Sequence, residues 1–91
     1  MKKSVRLYIK GTVQDLFFRS FIKTNAEKYN VKGFTRNLED GRVEAFFEGN
    51  SPDVNKMVEL CKIGPKHSQI TNIEIKPEKF QSFNTFKILH I

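Results

Sequence analysis

The spacing of apolar residues along this chain changes from two to 3.6 and back again twice, and few folds accept that order. From Val5 to Lys10 the residues alternate, Val5, Leu7 and Ile9 against Arg6, Tyr8 and Lys10, which is the period of a half-buried strand. Phe18, Phe21, Ile22, Asn25, Ala26 and Tyr29 then fall on one helical stripe. Val31 to Arg36 and Arg42 to Glu48 read as two strands joined through Asp40-Gly41, where glycine accepts the positive φ of a tight hairpin. In the second arm Val43, Ala45 and Phe47 face one way and Arg42, Glu44 and Glu48 the other, with Phe46 an exception on the polar side.

A second helix follows, with Ser51 expected as N-cap, Pro52 at the first helical position, Asp53 suited to the dipole, and Val54, Met57, Val58 and Cys61 as its buried stripe. Gly64-Pro65 ends it. Ile70, Ile73 and Ile75 mark another strand, whose broken alternation after Ile70 predicts a bulge. The segment from Phe83 to Ile91 reads as a fifth short strand or an edge extension. The order βαββαβ predicts an α+β fold, the ferredoxin-like split βαβ sandwich: an antiparallel sheet with two helices on one face. The 91 residues are expected to form a single domain, 1–91.

Composition narrows the partners without choosing one. A formal charge of +6 favours anions, but the basic residues are scattered and no block of five occurs, so a solvated basic surface is the simpler reading. No apolar run is long enough for a membrane span or a signal h-region, and the single Cys61 cannot form an internal disulfide. A cytoplasmic protein with no metal, no cofactor and no membrane partner is expected.

The candidate chemistry lies in "GTVQDLFFRS", Gly11 to Ser20. A loop feeding a helix N-terminus can point successive amides at an oxyanion, and Arg19 adds a planar, permanently charged fork suited to phosphate. Asn37, in "TRN" before the hairpin turn, can orient a water through its amide. Spacing alone favours Arg19 as an ordinary exposed helix residue and Asn37 as a turn-former. His67 and His90 are isolated in sequence and read as surface residues, and Cys61 as a core thiol. No Ser-His-Asp spacing or GxxxxGK[ST] motif occurs, so an enzyme built on these residues acts by electrostatics and positioning.

Three stretches carry a resemblance. "GTVQDLFFR" resembles the acylphosphatase signature Gly-x-Val-Gln-Gly-Val-x-Phe-Arg, "GFTRNLEDGRVEAFFEG" that family's Gly-Trp-Val-Arg-Asn…Asp-Gly-x-Val-Glu…Gly segment, and "GPKHSQI" its Gly-Pro-x-x-Ala/Ser-x-Val turn. The resemblance implies a hydrolase that splits the carboxyl–phosphate bond of a small acyl phosphate. It implies Arg19 as the phosphate-binding arginine, Asn37 as the water-orienting asparagine, and the backbone amides of Gln14, Asp15, Leu16, Phe17 and Phe18 as the rest of the cradle. Inorganic phosphate is then both product and competitive inhibitor, and a monomer is expected.

The departures from these patterns include Leu16 for valine, Phe34 for tryptophan, and Asp15 for the central glycine. The first two are apolar exchanges. A carboxylate at about 5 Å from a phosphate charge, at an effective dielectric near 20, opposes binding by roughly 3 kcal/mol. Asp15 is also a favoured N-cap, able to turn toward the amides of Phe17 or Phe18 and so withdraw them from substrate. The expectation is activity retained but reduced by Asp15. The alternatives are a non-catalytic phosphate-binding module and a small RNA-binding domain, the latter on the strength of the fold, the basic charge and nine phenylalanines.

Overall fold

The computed structural model describes residues 1–14, 16–66 and 68–90. Seven elements follow one another: β1 (Lys2–Gly11), α1 (Leu16–Lys28), β2 (Lys32–Asn37), β3 (Val43–Asn50), α2 (Ser51–Ile63), β4 (Ile70–Pro77) and β5 (Phe86–Leu89). The strands form one sheet in the order β4-β1-β3-β2-β5. β1 pairs antiparallel with β3 and β4, and β2 antiparallel with β3. The terminal segment is a fifth strand, and because β5 pairs with β2 in parallel, the sheet is mixed.

The predicted stripes are the buried ones. Phe18, Ile22 and Ala26 of α1 and Val54, Met57, Val58 and Cys61 of α2 meet Val5, Leu7, Ile9, Val43, Ala45 and Phe47 in a single core. Helix α1 packs over β2 and β5, whereas α2 packs over β3, β1 and β4. The predicted bulge is present: Lys10 pairs with Asn72 but Gly11 with Ile70, so β4 inserts Thr71 between them.

Three local expectations change. Asn50, not Ser51, is the N-cap of α2, in extended conformation and with no side-chain capping bond. Strand β3 runs into the helix without a loop, and the Ser51 amide donates to the Met1 carbonyl at 2.9 Å, so the chain's first residue meets one of the helix's open donors. Gly11 is required by packing more than by the loop it begins. At φ +145° a Cβ there would stand 1.9 Å from the Gln69 carbonyl oxygen, and the next amide, of Thr12, donates to that same oxygen at 2.8 Å.

The third change concerns the sheet face away from the helices, where alternation places Glu44 and Glu48 outward. Both are buried, at 3% and 1% exposure. The connection between β4 and β5 crosses this face as a strap. The amides of Gln81 and Phe83 donate to the Glu48 carboxylate at 2.8 and 2.5 Å, and the Ser4 hydroxyl donates to it at 3.3 Å. Ser82, at φ 61°, turns the backbone so that both amides converge on that carboxylate. The Phe83 ring then lies on Phe34 and Phe46, which stack on each other. Glu44 is held between Arg6 and Arg36, and the Arg6 guanidinium caps the Phe46 ring at 5.2 Å. Phe46 is thus no exception to the pattern, because this face has a small aromatic and ionic core of its own.

Candidate active site

The sheet order brings together the two stretches singled out from the sequence. β1 and β2 flank β3 and run parallel to each other, and Ile9 and Asn37 are both paired with Val43. Their C-terminal ends therefore open on one edge of the sheet, two strand spacings or about 10 Å apart. The loop after β1 and the end of β2 face each other across that gap.

The loop is braced on both sides. Val13 is buried at 1% exposure and anchors it to the core. The Gln14 side chain donates from Nε2 to the carbonyls of Leu38 at 2.6 Å and Arg42 at 2.9 Å, and so ties the loop to the β2–β3 hairpin. That hairpin is itself locked: the Leu38 amide donates to the Arg42 carbonyl, and Arg42 donates from its amide and Nε to the Asp40 carboxylate. These Arg42 bonds hold the Asp40 carboxyl below its usual range. Sequence reasoning enlisted Gln14 for its backbone amide alone; the bracing side chain shows no local signal, because both acceptors lie on another element.

Helix α1 begins at Leu16, and Phe18, fully buried, seats its first turn on the core. Arg19 is the next residue. Its Nε is buried and has no hydrogen-bond partner within the described residues. The same holds for Oδ1 of Asn37. Buried polar atoms are nearly always paired, so two orphans on the walls of one opening call for something to fill it. Arg19, Asn37, Leu89 and His90 line an open cleft of about 420 Å³. One orphan is a donor and the other an acceptor, so the cleft suits an anion on one side and a proton-bearing group on the other.

Of the remaining sequence candidates, Leu16 and Phe17 are exposed, at 57% and 85%. Asp15 and His67 lie outside the described residues. His90, set aside as a surface residue, is exposed yet stands on the cleft wall, because the β2–β5 register that pairs Arg36 with Leu89 carries the next residue of each strand to the same edge. Its position depends on that parallel pairing, which nothing near His90 in sequence announces. A larger cavity, about 460 Å³, is lined by Lys2, Lys3, Ser4, Val5, Ile75, Pro77, Glu78 and Phe80, and it contains none of the candidate residues.

A family model for acylphosphatase matches residues 5–88. A protein of Syntrophus aciditrophicus named acylphosphatase is 42% identical, over 99% of this chain and 95% of its own length. One of Pyrobaculum islandicum, also named acylphosphatase, is 44% identical over 91% of this chain and 90% of its own. The crystal structure of acylphosphatase from Bacillus subtilis superposes with a TM-score of 0.91 at 31% identity, covering 99% of this chain and all of that one.

Proposed function

The chain belongs to the acylphosphatase family, whose members are hydrolases acting on acid anhydrides, and from that premise we propose that it hydrolyses an acyl phosphate to a carboxylate and orthophosphate through Arg19, Asn37 and the loop amides. The observation that carries this reading is the pair of buried, unpartnered atoms on one cleft, Arg19 Nε and Asn37 Oδ1. A phosphoryl oxygen satisfies the first. It cannot satisfy the second, because Asn37 Oδ1 only accepts and an ionised phosphoryl oxygen has no proton to give. A water molecule can.

The chemistry follows from those roles. The backbone amides of Gln14, Asp15, Leu16, Phe17 and Phe18, with the Arg19 guanidinium, hold the three non-bridging oxygens and stabilise the charge that shifts among them in the transition state. Asn37 orients water for in-line attack. The water oxygen–phosphorus bond forms as the phosphorus–acyl oxygen bond breaks, the bonding pair leaves on the carboxylate, and the water proton passes to a phosphoryl oxygen. A carboxylate of low pKa is already a good leaving group, so positioning and electrostatics suffice without a strong general base. Orthophosphate fits the same cradle and inhibits competitively.

Asp15 modulates this activity. Its carboxylate competes with substrate for the loop's positive potential, and the enzyme works below the rate its framework permits. The test is hydrolysis of benzoyl phosphate by wild type, Arg19→Ala, Asn37→Ala and Asp15→Gly. The first two lose about 10²–10³-fold in kcat/KM, and Asp15→Gly gains. An Asp15→Gly variant no faster than wild type refutes the self-competition, and turnover that survives Arg19→Ala refutes the assigned cradle.

The aromatic residues do not favour the RNA-binding alternative. Phe34 and Phe46 lie on the sheet face that such domains leave open for stacked bases, but here Phe83 and the strap cover it.

A further inference from the structure

His90 reaches the cleft from the last strand of the sheet. β5 runs parallel to β2 and pairs Thr35 with Ile88 and Arg36 with Leu89. One residue beyond the last pair stand Asn37 and His90, on neighbouring strands about 5 Å apart. By alternation both lie on the face of the buried Thr35, the face on which α1 packs over β2 and β5. Three elements thus give the cleft one polar group each: Arg19 from α1, Asn37 from β2, and His90 from the end of β5.

The imidazole of His90 is exposed and has no hydrogen bond or ion pair among the described residues. None of the described residues lining the cleft is acidic, and Arg19 is the one permanent charge among them. Lys87, also on β5, lines a separate cavity with Phe34 and Phe83. Charges on the walls of a cleft of about 420 Å³ act on one anion within about one screening length, about 8–10 Å. Histidine is the side chain that changes charge between pH 5 and 8. We infer that His90 is a second, proton-dependent cation of the anion site, so that the cleft holds a phosphoryl group and its orthophosphate product more tightly as pH falls. The inference rests on the phosphate-cradle reading above and adds to it a residue and a regulation, product inhibition that strengthens in acid. Its sign follows from linkage: an anion that binds better to the protonated site takes up a proton on binding.

The experiment measures sulfate binding by isothermal titration calorimetry at pH 5.5 and 8.0, because sulfate keeps its double charge over that range whereas phosphate does not. Wild type is expected to bind about tenfold more tightly at pH 5.5, the scale of one added charge at a solvated cleft, and to take up a proton, read from buffers of different ionisation enthalpy. His90→Gln is expected to lose both the difference and the proton uptake, and His90→Lys to bind tightly at both pH values. Asp15→Asn and His67→Gln, which change titratable groups outside the described residues, keep the wild-type pH dependence. Equal wild-type affinity at the two pH values, a tenfold difference that survives in His90→Gln, or one that disappears in Asp15→Asn or His67→Gln overturns the role of His90 and leaves the cradle standing. Sulfate binding that is absent in wild type, or undiminished in Arg19→Ala, overturns the cradle and the inference with it.

Discussion

Replacing Glu48 with glutamine tests whether the strap over the second sheet face is held as the structure implies. The carboxylate accepts from the Gln81 and Phe83 amides and from the Ser4 hydroxyl while only 1% exposed. Glutamine keeps the shape but offers one acceptor oxygen, and its NH₂ group faces a donor. Of the two charge-assisted amide bonds one is lost, about 1.5–3 kcal/mol, and the other weakens to a neutral bond at about 1 kcal/mol less. Relief from burying a charge returns part of this. A net loss of about 2 kcal/mol follows, which for a domain of 91 residues lowers Tm by about 8–16 °C. Thermal unfolding followed by circular dichroism measures it, and binding of a hydrophobic dye reports whether Phe34 and Phe46 become accessible. A Tm within about 3 °C of wild type, with no added dye binding, refutes the view that Glu48 pins the strap.

Cys61 gives the chain an alkaline limit. Burial pushes its thiol up from the ordinary 9.0 to about 12, so between those values the unfolded chain has released a proton that the folded chain retains. Stability contributed by the neutral thiol is complete below pH 9.0 and falls above it by about 1.4 kcal/mol per pH unit; urea midpoints from pH 8 to 11 are expected to fall more steeply for wild type than for Cys61→Ala. Gly33→Ala would place a Cβ 1.9 Å from the Phe46 carbonyl oxygen at φ +139°, and a loss of about 3 kcal/mol or more is expected. Gly41→Ala meets no atom within 4 Å at φ +96°, so its cost is limited to backbone strain, about 1–3 kcal/mol; denaturant titration of the two variants separates collision from strain.

Periodicity located the elements because the helix stripes and the helix-facing side of each strand meet a single core. Its failure at Glu44 and Glu48 has a physical cause: alternation identifies which residues share a face, but whether the polar face meets water depends on the strap from Glu78 to Thr85, whose anchors are backbone amides and so leave little mark in sequence. Ser51 before Pro52 fits the cap or the first helical position, and it takes the second, with its amide bonded to Met1 at the other end of the sequence. Within the site, Arg19 and Asn37 are legible as residue types and their meeting only through the family resemblance, since it depends on β1 and β2 both pairing with β3, of which spacing carries no trace. Gln14's bracing bonds and His90's place on the wall share that dependence.

Among the described residues strand β3 supplies no group to the cleft, yet Val43 sets the register of Ile9 on one side and Asn37 on the other. The Asn37–Val43 pairing closes a local hairpin, whereas Ile9 and Val43 are far apart in sequence, the class of contact that forms slowly because a long loop must close first. The loop that leads into the helix of Arg19 and the strand of Asn37 gain their fixed relation when β1 docks on the β2–β3 hairpin. Recovered turnover during refolding is thus a clock for that last step, running behind any signal that reports helix alone.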